Sequence, residues 1–392
     1  MFIQFTCKNC NDKKKNDIYE ILGLLCQREQ IQIEDTGDIV KITACPEGII
    51  KVSEEDENVI LSANTRHAGA GFHAFVIDLC RDLEEELADP EGKYDMLDDL
   101  KFDDDGDFDR LQKLFEDEAE YLRGVLLDNK RFRSQNYLYE EAYFLPLEKE
   151  GYIHTIAGSI PVLEMMEKDT QELMDYFFIW NDWEKDARFY RNCALYLLTK
   201  EGVGKYAMMN EHTEKQARLI CDYIELAYEK DAKLPLPVDE YDELIHELDR
   251  ENKLENPVLM DRAVDQYKKK EVYHLYKDLK VVADGASERN VDYVSDSICL
   301  MSPFVDENWD YLIQASHSSS ILLRVEEVEA SPSKTMGRKG VQVIDYEENG
   351  IYYVEGKLVE KNDTMFIRSI CSDAKWIPYL KRCIQESTFQ KE

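Results

Sequence analysis

The chain has 392 residues, 82 of them acidic and 48 basic, giving a formal net charge of −34, and 44% are hydrophobic. That apolar content is enough to offset the ordering entropy of folding and excludes global disorder, while the length, at about 150 residues per domain, predicts two or three folding units. A field this negative repels phosphate backbones and anionic lipid, which excludes a nucleic-acid or membrane-surface role and makes a basic protein the expected partner.

No apolar stretch approaches the ~18–20 residues a membrane-spanning helix needs, and the opening MFIQFTCKNCNDKKK lacks the basic-then-apolar order of a secretory signal, so a cytoplasmic location is expected. The ten cysteines are scattered, several inside helical patterns where a thiol behaves as a small apolar side chain, which fits a reducing compartment.

In chain order, FIQFT reads as a strand and NDIYEILGLLCQRE as a helix with Ile18, Ile21, Leu22 and Leu25 on one face. Three β-like stretches follow, DIVKITAC, GIIKVS and NVILSANT, separated by turn-forming residues. A long amphipathic helix then starts at Gly69 and Gly71 and carries Phe72, Phe75, Val76, Leu79, Leu83 and Leu87. Residues 81–120 hold 18 acids against 5 bases, and a further helix begins near Phe108. YEEAYFLPLEKEGYIHTIAG is expected to form a hairpin turning near Glu148 to Gly151. Residues 160–284 read as nearly all helix, including one from Asn256, at the cap position, to Gly285. The pattern then turns to strands (ILLRVEEVEA, GVQVIDYEE, GIYYVEGKLVEK) and closes on the helix AKWIPYLKRCIQES. The expected class is α+β: an N-terminal β-α-β-β-β-α unit with a hairpin extension over 1–178, a helical region over 179–285, and an antiparallel β region with a closing helix over 286–392.

Four constellations invite chemistry. In NTRHAGAGFHAF, Gly69, Gly71 and Ala74 have a G-x-G-x-x-A spacing between a strand and a helix, where backbone N–H groups can cradle a phosphate, with Arg66, His67 and His73 flanking the loop. No second strand with an acid ~20 residues on completes a dinucleotide unit, and a tight, closely packed turn explains the same glycines. Cys7-Lys8-Asn9-Cys10 stands alone, without the second pair a four-cysteine zinc site requires. Asp103, Asp105, Asp107 and Asp109 alternate around Gly106 but miss the calcium-loop template in either register, and helix capping accounts for them. Tyr176, Phe177, Phe178, Trp180, Trp183, Phe189 and Tyr190 form an aromatic run suited to helix packing or to a partner surface. His246-Glu247 lacks the second histidine of a zinc-peptidase helix, and SPSKTMGRKG is the one basic loop.

No catalytic signature emerges and no metal or cofactor is expected. The reading is of a non-catalytic protein-binding molecule, of inhibitor, immunity, chaperone or adaptor type, that meets a basic partner through Asp103, Asp104, Asp105, Asp107 and Asp109. The alternative is a phosphate- or nucleotide-binding enzyme built on Arg66, His67, Gly69, Gly71 and His73.

Overall fold

The computed structural model describes residues 1–29, 31–37, 39–88, 92–128, 144–147, 151–200, 210–302, 309–318, 339–360 and 363–390. It is α+β, and the chain forms two compact units, one of residues 1–137 with 150–265 and the other of residues 138–149 with 266–392.

The first unit opens with β1 (Phe2–Lys8), α1 (Asp12–Arg28), β2 (Gln32–Asp35), β3 (Val40–Cys45), β4 (Gly48–Glu55), β5 (Asn58–Asn64), α2 (Ala70–Leu87), β6 (Lys93–Asp98), α3 (Phe102–Asp105) and α4 (Phe108–Leu127). The six strands form one antiparallel sheet in the order β2-β3-β4-β5-β1-β6. Period-two alternation buries Ile3, Phe5 and Cys7 of β1 and Val59, Leu61 and Ala63 of β5, the side the apolar faces of α1 and α2 cover. β7 (Phe144–Pro146) belongs to the second unit. The first unit resumes with β8 (Tyr152–Thr155), β9 (Gly158–Pro161), α5 (Val162–Glu167), α6 (Thr170–Phe177), α7 (Ala187–Lys200), α8 (Glu211–Lys230) and α9 (Val238–Glu247). The last three share a core of Ala194, Leu198, Ile220, Ile224, Tyr241 and Leu244.

The second unit contains β10 (Glu271–Tyr276), β11 (Leu279–Asp284), β12 (Glu288–Asp292), β13 (Ser297–Met301), β14 (Tyr311–Ser316), β15 (Lys339–Glu348), β16 (Ile351–Glu360), β17 (Asp363–Cys371), α10 (Ile377–Glu386) and β18 (Thr388–Phe389). A four-stranded sheet β18-β11-β10-β7 and a six-stranded sheet β12-β13-β14-β17-β16-β15 bury Val281, Ile298, Ile313, Leu358 and Ile367 together with Leu380 and Ile384 of α10.

Three expectations are corrected here. A strand carrying acids does follow the glycine loop, β6, ending at Asp98, but it pairs antiparallel with β1, so it does not supply the parallel strand of a dinucleotide unit. The helix expected from Asn256 to Gly285 is absent: the last part of that stretch is the β10–β11 hairpin, with Val272, His274 and Tyr276 buried alternately and Lys277 in the left-handed turn conformation, φ 55°. VYHLY also matches a helical apolar spacing, but β-branched and aromatic residues at every second position favour the pleated surface. The hairpin expected across Glu148 to Gly151 is not made either, since β7 pairs with β10 while β8 pairs with β9. Residues 321–330, expected as a strand, and the basic loop through Lys334 and Arg338 lie outside the described residues.

Burial holds the His274 imidazole neutral: its pKa falls to about 4 from an ordinary 6.5, and because a carbonyl only accepts, Nε2–H donates to the Asp284 oxygen at 2.9 Å. The unfolded chain therefore binds the extra proton between pH 6.5 and 4, and stability falls as the pH drops through that window. We expect wild type to lose about 3 kcal/mol more than His274→Gln across that interval. Denaturant titrations of the two proteins at matched pH values check this, and parallel pH slopes would refute it.

Candidate functional site

The glycine loop joins β5 to α2. Gly69, at φ 111°, is the residue before α2, a conformation L side chains rarely adopt. A β-carbon on Gly71 would fall inside van der Waals contact of the Asp182 carbonyl oxygen and the Trp180 indole. The glycines are therefore used for close approach to the chain's own 178–182 segment. The backbone bonds agree: Ala68 O accepts from the Ile179 and Trp180 N–H groups at 3.2 and 2.8 Å, and Gly71 N–H donates to Trp180 O at 3.0 Å. Of the flanking residues, Arg66 pairs with Glu118, with Nε 2.8 Å from its carboxylate. His73 is fully buried, its Nδ1 2.8 Å from Thr65 Oγ1 and its Nε2 donating to Asp98 Oδ1 at 3.0 Å. The structure thus sets Gly69 and Gly71 against a protein segment, with His73 directed to Thr65 and Asp98 and Arg66 to Glu118.

Asp98 carries that order onward. Its carboxylate also accepts the backbone N–H groups of Leu100 and Asp103, at 2.8 and 2.9 Å, and so fixes the turn from β6 into α3. Burial alone would raise its pKa, but the bonds from His73 and the two amides outweigh that and hold it well below the usual carboxylate range.

The acidic loop that follows is largely used in local structure. Asp103 pairs with Arg81 and Asp105 with Arg110, while Asp107 caps α4 by accepting from Arg110 N–H at 3.0 Å. Asp104 and Asp109 are exposed and make no ion pair among the described residues. The capping expectation for this loop holds. The two aromatics that bracket it, Phe102 and Phe108, support Trp183, whose ring meets theirs edge-on at centroid distances of 5.8 and 5.2 Å. Trp183 remains 45% exposed, and its neighbours Asp182 and Glu184 are exposed too.

The rest of the aromatic run is mostly core: Phe177, Phe178, Trp180 and Phe189 are buried. The stretch is pinned by Asp175, a buried carboxylate that accepts from Asn181, Arg188, Arg191 and Asn192, and by Gln112 of α4, which donates to Asn181 O at 3.1 Å. Asp98 and Asp175 escape sequence reasoning because the partners that give each its role lie on other elements.

Cys7 and Cys10 are both buried and free, and burial pushes the Cys7 thiol up to about 12, opposite to what a thiolate nucleophile needs. Among the described residues no group of His, Cys, Asp and Glu is arranged to hold a metal ion, and no helix is long and apolar enough to cross a membrane. His246 lies in the last turn of α9. In comparisons with protein-family models, curated proteins and solved structures, no match to this chain was found.

Since Asp98 is held below its unfolded pKa of about 3.9, its contribution is complete above that value and is lost as the pH falls further. Asp98→Asn should cost about 2–3 kcal/mol at neutral pH, with the gap to wild type narrowing below about pH 4. Equilibrium unfolding at pH 7 and pH 3 measures both; a gap that does not depend on pH would contradict this role.

Proposed function

We propose that this is a non-catalytic protein-binding molecule that engages a basic partner through an aromatic and acidic face centred on Trp183. The carrying observation is that Trp183 is half-exposed yet fixed in place by Phe102 and Phe108, beside carboxylates of which Asp104 and Asp109 are not neutralised by an ion pair among the described residues. A rigid indole gives large contact area at small entropic cost, and its π-face attracts a guanidinium or ammonium group. The carboxylates around it add long-range attraction, which raises the rate of encounter more than it raises affinity.

The expected acidic contact set narrows under this reading. Asp103, Asp105 and Asp107 act through local structure, and Asp104, Asp109, Asp182 and Glu184 supply the free charge. The alternative of a phosphate or nucleotide at the glycine loop draws less support, because the Gly71 N–H already donates to Trp180 O and Arg66 is paired with Glu118. A cytoplasmic setting belongs to the same proposal, and ten free cysteines suit it.

A short arginine-rich peptide is a sufficient probe. Trp183→Ala should weaken its binding by about 2 kcal/mol, roughly 30-fold, as expected of a central aromatic anchor. Asp104→Asn with Asp109→Asn should cost about 1 kcal/mol or less, and that loss should fade as salt is raised, since exposed charges are screened. Fluorescence titration at two ionic strengths reads both, and a Trp183→Ala protein that binds like wild type would end this reading.

A further inference from the structure

Behind Trp183 lies a cleft of about 360 Å³, within the range of small-ligand sites. One side is a face of α2 carrying Phe75, Asp78 and Asp82, and the other is the 178–186 segment with Trp180, Trp183 and Lys185.

Most of the charges in the cleft are answered from within it. Arg28 pairs with Asp82 at 2.5 Å, and Lys185 lies 3.9 Å from Glu29 with its ammonium over the rings of Phe75 and Trp180, at 5.6 and 5.3 Å. Lys230 rests over the Tyr190 ring at 5.7 Å. Asp78 differs from these: half-buried on α2, it has neither a hydrogen bond nor an ion pair among the described residues, and burial pushes its carboxyl above the usual range. Glu184 is likewise without an ion pair there, so after pairing the lining retains Asp78 and Glu184 against Lys230, an excess of one negative charge.

Arg81, one turn along α2, attracts the Asp78 carboxylate but is itself paired with Asp103, so Asp78 is left partly desolvated with no cation in contact, at a free-energy cost that a bound cation returns. A planar guanidinium suits the place better than an ammonium, because it is more weakly hydrated, can lie against an indole, and offers a carboxylate two parallel N–H donors. We propose that this cleft receives an arginine side chain of the basic partner, with Asp78 as its counter-ion and Trp183 as the aromatic wall at its mouth. The inference rests on the docking face described above and adds to it the pocket that reads one side chain.

The test uses N-acetylarginine amide, a single guanidinium on a neutral backbone, titrated by calorimetry into wild type, Asp78→Asn, Asp78→Glu and the Asp104→Asn/Asp109→Asn double variant. Saturable binding to wild type should weaken by about tenfold or more in Asp78→Asn, persist in Asp78→Glu, and stay within about twofold in the double variant. Absence of saturable binding, equal binding by Asp78→Asn, or equal loss in Asp78→Asn and Asp78→Glu overturns the proposal. The uncharged N-acetylnorleucine amide should not bind, and saturable binding of it would also overturn the proposal. Should N-acetylarginine amide behave as expected while the arginine-rich peptide ignores Trp183→Ala, the cleft stands and the docking face does not.

Discussion

The first unit depends on a backbone seam. Where β5 turns into α2, two glycines remove the side chains that would otherwise hold the 178–182 segment away, and three backbone hydrogen bonds with Ala68 and Gly71 fasten it there. Buried backbone groups must be paired, and here each strand of chain pairs the other. The segment is not helical, so without that seam its amides between α6 and α7 would need other partners. With it, Trp180 is buried and Trp183 is placed at the surface.

From the same loop a second line of order runs outward. His73, one turn into α2, joins Thr65 to Asp98, and Asp98 holds the amides that begin α3. Phe102 and Phe108, on either side of the acidic loop, then meet Trp183 from below. The glycines, which pack against Trp180, and the acidic loop, whose bracketing aromatics meet Trp183, are separate motifs some thirty residues apart in the sequence and thus converge on one short segment. Both act chiefly as structure, and the exposed face is what they jointly support.

Much of this was legible in the sequence. α1, α2, α4, α7 and α8 each carry an apolar face at helical spacing, and β4 and β5 alternate in burial, so period placed them, while β3 breaks its alternation at a bulge between Thr43 and Cys45. The capping of α4 by the acidic loop also followed from residue type. The β10–β11 hairpin did not, because VYHLYKDLKVV satisfies two periodicities at once and only tertiary burial chooses between them. Nor could β7 and β8 be assigned to different sheets, since the choice of partner strand depends on residues more than a hundred positions away. At the site, Trp183 lay inside an aromatic run but could not be told from its buried neighbours, and Asp78 lay within a predominantly apolar helix face with nothing local to show that it opens on a cleft.

The glycine seam sets the exposed Trp183 face at a distance. Its most direct measurement is amide hydrogen exchange on Gly71→Ala, with and without the arginine-rich peptide. Faster exchange across 178–186 than in wild type is expected, together with weaker peptide binding although residue 71 itself is buried. Exchange and binding both indistinguishable from wild type would contradict it.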